Sequence, residues 1–154
     1  MPTAKPSSSA SVDQMLLLDN QLCFAIYSAS LAMTRLYKPL LEQLELTYPQ
    51  YLVMLALWEQ DGLMVSELGQ RLSLDSGTLT PLLKRLEASG YVSRIRDVKD
   101  ERRVHISLTA AGRRLKARAA KVPACLLDAS QCSLDELVSL TRQVQQLRER
   151  IKAA

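Results

Sequence analysis

Histidine occurs once in this 154-residue chain and cysteine three times, and no apolar run is long enough to cross a bilayer. Each scarcity excludes something. A spanning helix needs about 20 mostly apolar residues. No secretory leader is expected, since the apolar run Met15 to Leu18 is followed at once by Asp19, Asn20 and Gln21. A cytoplasmic protein is therefore expected. Three cysteines in that compartment are not a disulfide framework. With His105 as the only imidazole, their spacing suits no zinc site, so neither a metal nor a cofactor is expected.

What the chain does have is concentrated between Val65 and Gly112. VSELGQRL places Val65, Leu68 and Leu72 on one helical face, with Ser66 positioned to help cap the start. In LDSGTLTPLLKRLEASG, Leu79, Leu82, Leu83 and Leu86 follow i, i+3, i+4, i+7 and are expected to bury together, which turns Thr78, Thr80, Pro81, Lys84 and Arg85 outward. Pro81 lacks an amide proton, so either the helix begins at Thr80 or a longer helix bends there. Gly90 ends the helix. YVSRIR and RRVHISL then alternate as two strands around the polar turn DVKDE. Two helices and a hairpin predict a mainly α fold with a small β-hairpin wing, a winged helix-turn-helix.

Charge follows the same boundaries. The chain carries +4, but Val65 to Arg118 holds twelve Lys and Arg against six Asp and Glu, leaving the flanks net acidic. A cationic module between such flanks is the footprint of phosphate contact, and double-stranded DNA is the expected partner. A merely solvated charged face is the plain alternative. The candidates for base-edge and phosphate contact are Ser76, Thr78, Thr80, Pro81, Lys84 and Arg85 on the helix and Arg94, Arg96, Asp100, Arg102 and Arg103 on the wing.

The flanks read as helices. One is expected from Asp13 to Tyr37, with a joint at Pro39 and a short helix over LEQLEL; another spans Tyr48 to Glu59 with Pro49 in its first turn. Thr109 caps TAAGRRLKARAAKV, Pro123 kinks or restarts the helix, and Ser133 with Glu136 forms a capping box for the last one. In that helix Leu137, Leu140, Val144, Leu147 and Ile151 step by three and four, a narrow seam that needs a partner helix. The expected organisation is a disordered tail over residues 1–12, dimerisation helices over 13–46, a DNA-binding domain over 47–112 and further dimerisation helices over 113–154. A homodimer would set two recognition helices roughly 34–36 Å apart on a pseudo-palindromic site.

Cys23 and Tyr27 are four residues apart and share a face of the first long helix. Tyr37 returns to nearly that face but lies about 21 Å further along, too far for its own Cys23. Antiparallel first helices across a dimer would let Tyr37 of one protomer approach Cys23 of its partner. Phenol donors favour the thiolate and so raise its reactivity. The plain alternatives are a small apolar Cys23, two core tyrosines and a His105 that is simply a strand residue.

DNQLCFAIYSAS, LTYPQYLVMLALWE, LDSGTLTPLLKRLE and DVKDERRVHISLTAAG together resemble the MarR-type transcriptional regulators, and within them the organic hydroperoxide resistance repressors. The resemblance runs from about Asp13 to the C-terminus. It implies a homodimeric repressor whose Cys23 is oxidised by organic hydroperoxide to a sulfenic acid, with Tyr27 and the partner's Tyr37 as hydrogen-bond donors. It also implies that Asp100 and Arg102 organise the wing tip, with Arg102 in the minor groove, and that oxidation lowers operator affinity. Members with a second sensing cysteine form an intersubunit disulfide. That cysteine falls about where this chain has Asp128, so Cys125, one turn earlier, and Cys132, one turn later, both stand as candidates. Two other readings compete: a repressor answering a small aromatic ligand at the dimer interface, and, from a different class, a thiol peroxidase. No membrane partner is expected, and no catalytic residue is assigned.

Overall fold

The computed structural model describes residues 11–154, and the chain divides into two compact units, Met1–Arg35 and Leu36–Ala154. Residues 1–10 of the expected tail lie outside the described residues; Ser11 accepts a hydrogen bond from the Gln14 amide and caps α1 (Val12–Met15).

In the N-terminal unit the helix expected from Asp13 does not run through. A 3-10 turn (Leu18–Asn20) intervenes before α2 (Leu22–Gln43) begins. Asn20 Nδ2 donates to the Gln14 carbonyl at 2.7 Å, and Gln21 Nε2 to those of Met15 and Leu17 at 2.7 and 2.8 Å. These amides occupy carbonyls that a continuing helix would have used.

The second unit holds the core. α2 continues through Pro39 and ends at Gln43, so the expected joint and the separate LEQLEL helix are both absent. A helical proline costs about 3 kcal/mol. Leu41, Leu44 and Leu46 are all buried, each contributing roughly 1.5–3 kcal/mol, which outweighs the break. The chain reverses with Glu45 left-handed at φ 57° and the Leu46 amide bonded back to Leu41.

α3 (Tyr48–Glu59) starts at a Thr47 and Gln50 capping box and buries Gln50, Tyr51, Val53, Met54, Ala56 and Leu57, the scaffold helix its apolar sequence predicts. Trp58 donates to the Gly112 carbonyl at 2.9 Å. α4 (Val65–Leu72) follows a two-residue strand β1 (Leu63–Met64). Ser66 does not cap α4: its N-cap is Met64, with no side-chain bond, because β1 delivers the chain straight into the first turn. α5 (Ser76–Ala88) is one helix from the Asp75 cap through Pro81, the longer of the two expected forms. Leu79, Leu83 and Leu86 are buried and hold it, while Leu82 is only half-buried. Gly90, at φ 80°, takes the left-handed turn, and the Tyr91 amide bonds back to Leu86.

β2 (Val92–Arg96) and β3 (Val104–Leu108) form the hairpin, with Val92 opposite Leu108 and Arg96 opposite Val104. β1 adds to β3 antiparallel, Leu63 opposite Ile106 and Met64 opposite His105, so the wing is a three-stranded sheet ordered β1-β3-β2. Two residues carry no periodicity, so the third strand left no trace in the pattern. Asp61 fastens this sheet. Its Oδ1 accepts from the Gly62 and Leu108 amides, each at 2.8 Å, and its Oδ2 accepts from Arg113 at 3.1 Å. Burial pushes its carboxyl up, but the Leu108, Arg113 and Gly62 bonds overcome that and hold it below the usual range.

α6 (Ala110–Ala119) is capped by Thr109, and the chain restarts as α7 (Lys121–Ser130), with Pro123 in its first turn. α8 (Leu134–Ala153) opens on the Ser133 and Glu136 capping box and buries none of its residues. Of its seam, Leu140, Val144 and Ile151 are exposed, as are Leu134 and Val138.

Candidate DNA interface and thiol site

The candidate reading face is assembled from α4, α5 and the wing. At the start of α5 the Asp75 carboxylate accepts the Thr78 amide at 2.7 Å. That bond, with one from the Thr78 hydroxyl and one from the Gly77 amide, holds its carboxyl below the usual range. Burial of Leu79, Leu83 and Leu86 fixes the rotation of the helix and leaves Ser76, Thr78, Pro81, Lys84 and Arg85 exposed. Thr80, expected to point outward with them, is half-buried.

The wing turn is held by Asp100. Its carboxylate accepts the Arg102 amide at 3.1 Å and faces Arg102 Nε at 3.5 Å and Arg103 Nε at 3.9 Å. The Arg102 side chain is 94% exposed, so the carboxylate orients the guanidinium without covering it. Arg96 donates to the Glu101 carbonyl at 3.3 Å, and the Arg94 amide to Glu87 on α5 at 3.2 Å. Arg102 lines one open concavity of about 630 Å³ together with Ser66, Gln70, Ser73, Asp75 and Ser76. The wing tip and the start of α5 thus share a surface. Ser66 and Gln70, four apart on the polar face of α4, and Ser73 just after it were not among the contact candidates read from the sequence.

The thiol residues fall in both units. Cys23 and Tyr27, in the N-terminal unit, are both exposed on α2, one turn apart. Tyr37, in the second unit, is buried and stacks on Tyr48 at 6.1 Å between ring centroids; Tyr48 in turn meets Tyr51 at 6.3 Å. Burial, then Tyr48, then Cys125 push the Tyr37 phenol above its ordinary pKa. Tyr48 and Tyr51 were not singled out from the sequence, although Y-P-Q-Y spaces them for one face of α3. Cys132 sits half-buried in the α7–α8 turn, its amide bonded to Ser130 Oγ at 3.3 Å and its thiol 3.5 Å from the Ser130 carbonyl. Cys23, Cys125 and Cys132 are all free thiols. Tyr37, Ala124, Leu127, Leu134, Val138 and Arg142 help line an open, largely apolar groove of about 470 Å³. Among the described residues no three His, Cys, Asp or Glu side chains are grouped to hold a metal, and no helix is long and apolar enough to cross a membrane.

Comparison with known proteins was made on this framework. Residues 35–119 match the family described as the transcriptional regulator SarA/Rot. The chain is 50% identical to the HTH-type transcriptional regulator TtmR of Methylorubrum extorquens, over 99% of this chain and 78% of that protein. It is 49% identical to the organic hydroperoxide resistance transcriptional regulator of Bacillus subtilis, over 86% of this chain and 90% of that one. Among solved structures it resembles AbfR of Staphylococcus epidermidis, with a TM-score of 0.78, 36% identity and coverage of 94% and 100%. Reduced AbfR bound to DNA gives a TM-score of 0.74 at 36% identity, covering 94% and 98%. AbfR with its disulfide formed gives 0.59 at 38% identity, covering 84% and 91%.

Proposed function

We propose, for a chain that belongs to the SarA/Rot and MarR family of DNA-binding transcriptional regulators, that it is a homodimeric repressor which releases its operator when organic hydroperoxide oxidises Cys23. It is a regulator and not an enzyme. The observation that carries the sensing half is the one-turn spacing of exposed Cys23 and Tyr27, together with 49% identity to the Bacillus regulator of organic hydroperoxide resistance.

The chemistry balances without a cofactor. The Cys23 thiolate attacks one peroxide oxygen, the O–O bond breaks, and the departing alkoxide takes a proton to leave as the alcohol; the product is a sulfenic acid. A second thiol then displaces water from it to form a disulfide. Tyr27 and the partner's Tyr37 donate to the thiolate and so favour its charged form. Residues 13–46 and 113–154 form the dimer, which gives the unburied seam of α8 its partner. Cys125 on α7 and Cys132 in the α7–α8 turn are both candidates for the second thiol.

Brief exposure to an organic hydroperoxide, followed by peptide mass spectrometry and nonreducing electrophoresis, tests the reading. Cys23 should be modified first, and whichever of Cys125→Ser and Cys132→Ser loses the crosslinked dimer identifies the second thiol. Modification confined to Cys125 or Cys132 would refute the sensor.

On the DNA side, Arg102→Ala should weaken binding at every salt concentration and lower the slope of log affinity against log salt by about 1, the signature of one lost phosphate contact. Lys84→Ala provides the same reading on α5. An unchanged slope in both variants would place the interface elsewhere.

A further inference from the structure

His105 is the chain's only histidine, and its ring is held between two acceptors. Nδ1 lies 3.2 Å from the Gly62 carbonyl, in the loop ahead of β1, and Nε2 lies 3.5 Å from Asp97 Oδ2, at the root of the wing turn. A neutral imidazole has one N–H: it donates to one of these oxygens and turns a lone pair toward the other. Only the imidazolium donates to both.

Asp97 passes the constraint on. Its Oδ1 accepts the Lys99 amide at 2.9 Å, and its own amide donates to the Arg103 carbonyl at 2.9 Å. Gly62 is anchored in turn, through its amide, to Asp61. The ring therefore bridges the fastened base of the sheet and the turn that carries Arg102. Both side chains are partly covered, at 36% and 27% exposure.

We propose that His105 is a positioning residue whose protonation sets the wing for DNA, so that operator affinity falls as pH rises through the titration of this one side chain. The inference rests on the reading that the wing contacts DNA. Asp97 is the charged group facing the ring, with Arg103 next beyond it. Of the other elements packed on β3, β1 carries no charge; Arg94 and Arg96 stand on β2 and Glu67 on α4. Glu59 of α3 is paired with Arg71 of α4, and Arg113 of α6 with Asp61.

The signs agree. Lys99, then His105 and Arg103, hold the Asp97 carboxyl below its usual range despite some burial, so it stays ionised until pH falls below ordinary carboxylate values. The bridge needs both the Asp97 carboxylate and the imidazolium, so it is lost when the ring gives up its second proton.

The test uses reduced protein and a duplex that the reduced wild type selects from a random pool, with binding followed by fluorescence anisotropy from pH 6 to 8 at constant ionic strength. Wild-type affinity should fall about three- to tenfold across that range, the scale of one net hydrogen bond, while His105→Gln binds near the weaker limit at every pH. Calorimetry of the wild type in two buffers of different ionisation enthalpy should show net proton uptake on binding, a readout that survives if the variant folds poorly. A flat wild-type profile, or the same slope in His105→Gln, overturns the proposal. Arg102→Ala separates the two readings: if it leaves affinity unchanged the wing does not hold DNA, whereas if it weakens binding while the wild type stays flat, only the histidine bridge is lost.

Discussion

A protein carrying Cys23→Ser is expected to bind the selected duplex as tightly as the wild type and to keep it in organic hydroperoxide, where the wild type lets go. The side chain changes by one atom on an exposed face of α2, so the fold has no reason to respond. A hydroxyl with no accessible anion does not attack peroxide, so the response should vanish rather than weaken. Gel shifts with and without cumene hydroperoxide, in the presence and absence of added thiol, measure this. Release of the serine variant would move the sensor to another residue and leave Tyr27 and Tyr37 as ordinary packing groups.

The largest loss of stability is expected at Gly112. A Cβ there would collide with the Tyr91 carbonyl oxygen and stand 3.3 Å from Leu108 Cδ2. The oxygen is backbone and accepts the Thr109 amide at 3.0 Å, so it cannot retreat without opening the start of β2 from the start of α6. The Gly112 carbonyl also accepts the Trp58 indole. Gly112→Ala should therefore cost about 4 kcal/mol or more, among the exceptional single substitutions, and lower the melting temperature by roughly 8–16 °C. Gly77→Ala is the control. Its Cβ would meet only Asp75 Oδ1, at 3.4 Å, and the melt should barely move. Equal melting of the two proteins would mean that the β2–α6 junction is far looser than the close contact requires.

The sequence was most legible where periodicity and caps agree. Leu79, Leu83 and Leu86 with the Gly90 stop defined α5, Ser133 with Glu136 defined the start of α8, and the alternation of YVSRIR and RRVHISL defined the hairpin. It failed where tertiary burial or a side-chain amide decided the matter. Pro39 looks like a break until the leucines beyond it are counted, Pro81 left two helix starts open that only the Asp75 cap decides, and Asn20 with Gln21 cut a helix that composition alone would continue. For the site, the exposed hydroxyls and cations could be read from the pattern. The joining of Arg102 to the α4 surface could not, since those residues meet only after the sheet folds back. The stacking of Tyr37 on Tyr48 was hidden for the same reason.

The Asp61 clamp has a mechanical consequence. One carboxylate takes a donor from α6, another from β3 and a third from the loop that leads into β1, so these three pieces cannot slide past one another without breaking charge-assisted bonds. The wing is then not a flap on a hinge. Through that one side chain the start of α6, the end of β3 and the loop ahead of β1 are fastened to one another.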